Sequence, residues 1–255
     1  MGKEFNNAIE FVDVSLRVAS GKTLLSAVNL AVEGGETLML LGRSGSGKTT
    51  CLKMINRLLS PTEGEVKVDG TPVNHWDAIK LRRGIGYAIQ DVGLFPHYTV
   101  HDNVALVPRL ERWEQKKIAA RVDEVLNLVG LPGSEYAGRY PDELSGGQRQ
   151  RVGLARALAA EPPILLMDEP FGALDPITRA ELQLEFKKLQ EKLHKTVVFV
   201  THDIGEALLL GSRIALMEDG RLRGVYRPAE FLHATDVSVK AYVEVFRAAQ
   251  QAFHS

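Results

Sequence analysis

The chain is poor in cysteine, in long apolar runs and in surplus charge of either sign, and each lack removes a class of protein. Cys51 is the single cysteine among 255 residues, which rules out an internal disulfide and fits a reducing compartment. It lies just past a glycine-rich loop, so it reads as either a reactive thiol or a small apolar filler on the first helical turns. The longest apolar runs, such as residues 164–167 and 197–200, are strand-sized. They fall far short of the ~20 residues a membrane span needs. No secretory leader is expected, because Met1-Gly2-Lys3-Glu4 runs straight into mixed sequence. With 31 basic and 32 acidic residues the net charge is −1, so there is no electrostatic footprint for nucleic acid. No block of like charge, internal repeat, low-complexity segment or long linker interrupts the chain.

What is present is an ordinary globular composition, 45% apolar and 25% charged, organised around one stretch. Residues 38–52 read Leu-Met-Leu-Leu-Gly-Arg-Ser-Gly-Ser-Gly-Lys-Thr-Thr-Cys-Leu. An apolar run precedes Gly42-x-x-x-x-Gly47-Lys48-Thr49, and Leu52, Ile55, Leu58 and Leu59 follow on one side of a helical pattern. Strand, loop and helix in that order predict a phosphate-binding P-loop. Four fixed positions match by accident in on the order of 1% of chains this long. Glycines admit backbone conformations closed to other residues, so successive N–H groups of the loop can converge on phosphate oxygens. That loop is Gly42, Arg43, Ser44, Gly45, Ser46 and Gly47, running into Lys48, Thr49 and Thr50. The helix N-terminus adds partial positive charge, Lys48 a full charge for the β- and γ-phosphates, and Thr49 a hydroxyl for Mg²⁺.

On either side the chain reads as α/β. Residues 8–18 and 24–32 predict two strands around the turn Ser20-Gly21-Lys22, and Gly34-Gly35 leads into the strand before the loop. Ser60-Pro61-Thr62-Glu63-Gly64 breaks the following helical pattern, and residues 65–68 with Asp69-Gly70 read as a strand and turn. Residues 86–90 form a short strand ending in Gln90, either a surface glutamine or a neutral ligand for Mg²⁺ or water. From Asp91 to about Leu158 the pattern turns helical, with Ile118, Val122, Val125, Leu126 and Val129 closed by Gly130 and Pro132. This predicts a helical lobe inserted into the α/β core, its apolar face used for packing.

Ser145, Gly146, Gly147 and Gln148 precede a helix carrying Val152, Leu154, Ala155 and Leu158. Ser145 can cap that helix and the glycines bare its N–H groups, giving a second anion site or simply a capped helix. Residues 163–169 are a continuous apolar run ending in Asp168 and Glu169, the pattern of a central parallel strand. Ligands of open α/β sheets gather at such carboxyl ends. Asp168 suits Mg²⁺, and Glu169 suits polarising an attacking water. Ala173-Leu174-Asp175-Pro176 turns into a helix with Leu182, Phe186, Leu189 and Leu193 on its core side. Residues 196–201 predict a strand ending at His202, which either reaches a γ-phosphate or makes a structural hydrogen bond. Residues 213–217 and 221–225 pair around Glu218-Asp219-Gly220, and two short helical patterns follow.

The ordered set of Gly42–Thr49, Gln90, Leu144-Ser145-Gly146-Gly147-Gln148, Asp168-Glu169, Ala173-Leu174-Asp175 and His202 resembles that of the ATP-binding cassette ATPases, over nearly the whole chain. Residues 50–58, 86–97 and 170–179 are similar to the glycine betaine, carnitine and choline uptake ATPases. The resemblance implies one α/β P-loop NTPase domain over residues 1–255. Its RecA-like core and antiparallel β lobe would cover about 1–90 and 159–235, its helical lobe about 91–158 and a helical tail about 236–255. It implies an ATP-hydrolysing importer subunit using ATP and Mg²⁺. Lys48 and the loop amides would hold phosphates, Thr49, Gln90 and Asp168 would serve Mg²⁺, Glu169 would be the general base and His202 would contact the γ-phosphate. Ser145, Gly146, Gly147 and Gln148 would act in trans, so that a homodimer or a paired ATPase subunit sandwiches two nucleotides with Asp175 at the seam. The surface around Gln90–Tyr98 would receive a short helix of a transmembrane permease, with a substrate-binding protein joining through the complex. The chain would then be cytoplasmic, peripheral on the inner face of the membrane, with no nucleic-acid partner.

Three departures from the family pattern stand out. Val18 occupies the place of an adenine-stacking aromatic, leaving apolar contact from Val18 itself or a substitute such as Phe11. Gly205 stands where this subgroup carries an acid. With the sequence read to Ser255, the appended regulatory domain that some osmolyte ATPases carry is not expected. Two alternatives keep the cassette: an importer of another cargo such as an amino acid, or a soluble ATPase acting on nucleic acid or the ribosome. Only about 120 residues separate Lys48 from Asp168, without room for the long coiled coil of chromosome-type relatives. Translation-type relatives generally fuse two cassettes, and this chain has one.

Overall fold

The computed structural model describes residues 7–89, 93–172 and 174–252. In chain order the elements are β1 (Asn7–Arg17), β2 (Thr23–Glu33), β3 (Thr37–Leu41), α1 (Lys48–Ile55), β4 (Glu63–Val68), β5 (Thr71–Pro72), α2 (Ala78–Arg83) and β6 (Ile85–Ala88). Then come α3 (Val100–Leu110), α4 (Gln115–Leu128), α5 (Gly133–Tyr136), α6 (Gly146–Leu158), β7 (Ile164–Asp168), α7 (Pro176–Leu193) and β8 (Thr196–Thr201). The chain closes with α8 (Ile204–Leu210), β9 (Arg213–Glu218), β10 (Arg221–Tyr226), α9 (Pro228–His233) and α10 (Val237–Ala252). These elements form two compact units, one of residues up to Ala78 with those from Thr196, the other of Ile79–Lys195.

The first unit holds two sheets. In the antiparallel one the order is β2-β1-β4-β5, and alternation along β1 and β2 buries Ile9, Phe11, Val14 and Leu16 against Leu25, Val28, Leu30 and Val32. The two-residue turn Asp69-Gly70 (φ 48° and 71°) joins β4 to β5, because hairpins this tight need left-handed residues. Strand β3 lies between β8 and β9 and parallel to both, with Leu38 opposite Val198 and Arg213. All five of its residues are buried, so after Thr37 its sequence is a continuous apolar run rather than an alternating one. Strand β10 returns antiparallel to β9 through Asp219-Gly220 (φ 49° and 74°).

Helix α1 is shorter than the apolar spacing predicts. It stops at Ile55, and Arg57 turns left-handed at φ 54°. The N–H groups of Leu58 and Leu59 then bond to the Lys53 carbonyl at 2.7 and 2.9 Å. Leu58 is left 48% exposed, so it is not part of the buried face that Leu52 and Ile55 form.

In the second unit β6 and β7 run parallel, pairing Ile85 with Ile164 and Ala88 with Met167. Helices α3, α4 and α6 supply a core of Val100, Val104, Ile118, Val122, Val125, Leu126, Val152 and Leu158. The spacing of the α4 residues is that of one helical face, and Gly130 ends it at φ 68°. Helix α7 buries Leu182, Phe186 and Leu189, while the side chain of Leu193 lies outside what is described. Among the described residues no helix is long and apolar enough to cross a membrane.

Candidate functional site

The glycine loop spans the gap between β3 and α1. A Cβ on Gly42 would stand 2.3 Å from the Met217 carbonyl oxygen and 2.6 Å from Ser46 Oγ, so only glycine lets the loop leave the strand here. Gly47 is the α1 cap at φ 101°, where the turn needs a left-handed residue and a Cβ would strike Leu25 Cδ2 at 2.6 Å. The β9–β10 turn props the loop, since Gly220 N–H donates to the Ser46 carbonyl at 3.2 Å. Lys48 is 5% exposed, and its ammonium donates to the Gly42 and Arg43 carbonyls at 2.8 and 2.9 Å. Its charge is thus folded onto the loop it would serve. Ser46 Oγ is buried with no hydrogen-bond partner. An orphaned hydroxyl inside a glycine cradle beside a lysine suits a phosphate oxygen.

Cys51 is fully buried, and burial pushes its thiol up to about 12. A group so disfavoured as thiolate is packing material, which decides between the two readings of this cysteine. Val18 directly follows β1, its N–H bonded to the Lys22 carbonyl at 3.0 Å and the residue 37% exposed. His202 follows β8 and lines a cavity of about 470 Å³ with Arg43, Asp203, Tyr242 and Phe246. Burial raises the Tyr242 phenol above its ordinary range, against the pull of Arg43, to which it is hydrogen-bonded. The first unit therefore brings His202 and Arg43 of the phosphate loop to one cavity. Asp203 caps α8 by accepting from Gly205 N at 2.7 Å and Glu206 N at 3.4 Å, so the helix starts normally with glycine at position 205.

The remaining site residues belong to the second unit. Strand β7 ends at Asp168, 5% exposed, and Glu169 follows in a left-handed conformation at φ 47°. Burial first, and then the Asp168 charge, push the Tyr87 phenol up to about 12. Ser145 caps α6: its Oγ accepts from Gln148 N at 3.2 Å, and Gln148 Oε1 accepts from Ser145 N at 2.9 Å. This reciprocal capping box satisfies two otherwise orphaned donors. Gln148 Nε2 also donates to the Tyr136 hydroxyl at 3.3 Å. Ser145, Gly146, Gly147, Gln148 and Asp175 line one cavity of about 520 Å³, together with Tyr136. Asp175 caps α7 by accepting from Thr178 N at 3.0 Å, and that bond holds its carboxyl below the ordinary range. Gln90 and Ala173 lie outside the described residues.

Sequence reasoning passed over Asn103. It is fully buried; its Nδ2 donates to the carbonyls of Phe95, Tyr98 and Thr99, and its Oδ1 accepts from Phe95 N at 2.8 Å. An asparagine at an apolar position of α3 was the available signal. It clasps the loop that presents Phe95, 41% exposed, to solvent.

A family model described as ABC transporter matches residues 25–172. The chain belongs to the ABC transporter family. It is 53% identical over 220 residues to the choline transport ATP-binding protein OpuBA of Bacillus subtilis (strain 168), covering 86% of this chain and 58% of that protein. It is 51% identical over 224 residues to the glycine betaine/carnitine/choline transport ATP-binding protein OpuCA of the same organism, covering 88% and 59%. The chain thus spans somewhat more than half the length of these relatives. Among solved structures, the dimeric post-hydrolysis state of the ATP-binding cassette MJ0796 bound to ADP and Pi matches with a TM-score of 0.80 and 38% identity. That match covers 86% of this chain and 98% of the other. As a cassette of this family the chain has the expected α/β P-loop NTPase fold.

Proposed function

We propose that this cassette is the ATP-hydrolysing subunit of an importer for small quaternary-ammonium osmolytes (glycine betaine, choline or carnitine) working through a separate membrane permease. The observation that carries the nucleotide reading is the phosphate loop, with the Lys48 ammonium 2.8 and 2.9 Å from two loop carbonyls and Ser46 Oγ buried unpaired. The cargoes of OpuBA and OpuCA support an osmolyte over an amino acid.

In this reading the amides of Gly42–Thr50 and the Lys48 charge bind the triphosphate, and Val18 offers the base apolar contact. Glu169 accepts the proton of the attacking water, and His202 donates to the γ-phosphate. Ser145, Gly146, Gly147 and Gln148 of a second copy seal the nucleotide, with Asp175 at the seam; the dimeric relative supports this arrangement. Thr49, Asp168 and Gln90 offer hard oxygen donors that fit Mg²⁺. Among the described residues no cluster of three His, Cys, Asp or Glu side chains forms a protein cage, as an ion shared with substrate phosphates needs none. An ion held by these residues would neutralise charge on the phosphate oxygens. The whole is one cassette domain whose segment from about 91 to 158 is the helical lobe. The clasped loop with exposed Phe95 supports a permease contact, which holds the chain at the cytoplasmic face and links it to a substrate-binding protein.

Uptake of radiolabelled betaine, choline and carnitine in cells lacking the chain tests the reading. We expect uptake of at least one to fall and to return with the wild-type chain but not with Lys48→Ala. Unchanged uptake of all three would overturn the cargo.

A further inference from the structure

The turn carrying His202 is closed by a hydrogen-bonded pair of buried side chains, Thr201 and Glu206. Strand β8 ends at Thr201, Asp203 caps α8, and His202 is the one residue between them. Thr201 is 1% exposed and Glu206 7% exposed. Thr201 Oγ1 donates to Glu206 Oε2 at 2.5 Å and accepts from Asp203 N at 2.9 Å. The hydroxyl thus donates to the carboxyl group and accepts from the backbone N–H, using both of its hydrogen-bonding capacities. The Glu206 carboxylate sets where the hydroxyl proton points, and the hydroxyl lone pair then holds the backbone at Asp203. His202 is thereby gripped from the residue before it and the residue after it.

Capping does not require this arrangement. Asp203 already accepts the first N–H groups of α8, from Gly205 and Glu206. Burying a carboxylate is unfavourable unless it is well bonded, so a plain helix start would leave Glu206 in water. We propose that Thr201 and Glu206 are positioning residues that hold the His202 imidazole in the orientation needed for turnover, without touching the nucleotide themselves. This rests on the reading of His202 as the γ-phosphate contact.

The test is a double-mutant cycle on the purified full chain, reading kcat for Mg-ATP and ATP affinity separately. Thr201→Val keeps the shape and removes both bonds; a misplacement of about 1 Å at a reacting group can cost about 10²-fold. We expect a 10- to 100-fold fall in kcat, ATP affinity within about twofold of wild type, and recovery to within about threefold in Thr201→Ser. In a His202→Ala background Thr201→Val should lower kcat no further, because coupled residues are not additive. Glu206→Leu, which removes the acceptor for the Thr201 hydroxyl, provides a second cycle with the same expected collapse if Thr201→Val fails to fold. Equal slowing with and without His202, or an undiminished kcat, would overturn the positioning role. A His202→Ala chain turning over at the wild-type rate would instead remove the parent reading of His202.

Discussion

One substitution can separate the cap that Ser145 makes from the phosphate contact proposed for it. As the α6 cap its Oγ accepts from Gln148 N at 3.2 Å, a bond internal to the chain. As the signature serine it would also face a phosphate held by another copy. Ser145→Ala removes both, at a typical cap cost of about 1 kcal/mol. For a chain of this size that lowers Tm by about 2 °C. Ser145→Asp keeps the cap, since aspartate is as good a cap as serine and its charge favours the helix N-terminus. Its stability should therefore match or slightly exceed wild type. Opposite a phosphate at about 4 Å, however, a new negative charge is opposed by about 4 kcal/mol at an effective dielectric constant of about 20. That corresponds to about a thousandfold in turnover. Thermal melts and steady-state phosphate release on the three chains make the comparison. Normal turnover in Ser145→Asp would refute the phosphate-facing role. A melt as low as that of Ser145→Ala would refute the capping argument.

Further outcomes follow from the same geometry. Lys48→Ala should abolish measurable ATP binding in titration calorimetry, and wild-type affinity would remove the loop's role. Gly47→Ala forces a Cβ into a left-handed backbone and to within 2.6 Å of Leu25, so we expect a loss of about 2 kcal/mol in urea unfolding. Cys51 should stay unlabelled by thiol reagents in the native chain and react only on unfolding, because its thiol is pushed up to about 12. The folded chain keeps this proton where the unfolded thiol, near 9.0, has lost it. Stability is therefore full below about pH 9 and falls as pH rises towards 12, by about 1.4 kcal/mol per pH unit. Cys51→Ala should lack that part of the slope, read as the difference between the two chains' urea midpoints.

The elements that carry the phosphate loop and Asp168 were legible because burial on both faces leaves an uninterrupted apolar run, as in β3 and β7. The tight turns Asp69-Gly70 and Asp219-Gly220 were legible from their chemistry. The end of α1 was not: Leu58 and Leu59 continue the helical spacing, and only the left-handed Arg57 stops it. Helices α2 and α5 are too short to show a period. At the site, the proposed roles rest on the residue types of the loop, signature and acidic strand end, which the sequence displays directly. The supports did not. Asn103 clasping its loop, Tyr136 on Gln148 and Glu206 on Thr201 depend on contacts that no local spacing encodes.

The central claim is that ATP joins two copies, each sealing the other's phosphate loop. Glu169→Gln removes the proposed base and should slow hydrolysis 10²–10⁴-fold while leaving binding intact. Sedimentation of that variant with and without Mg-ATP is the direct measurement. The account predicts a shift from the 28.1 kDa monomer to a stable dimer only with nucleotide. A variant that binds ATP yet sediments as an unchanged monomer would contradict it.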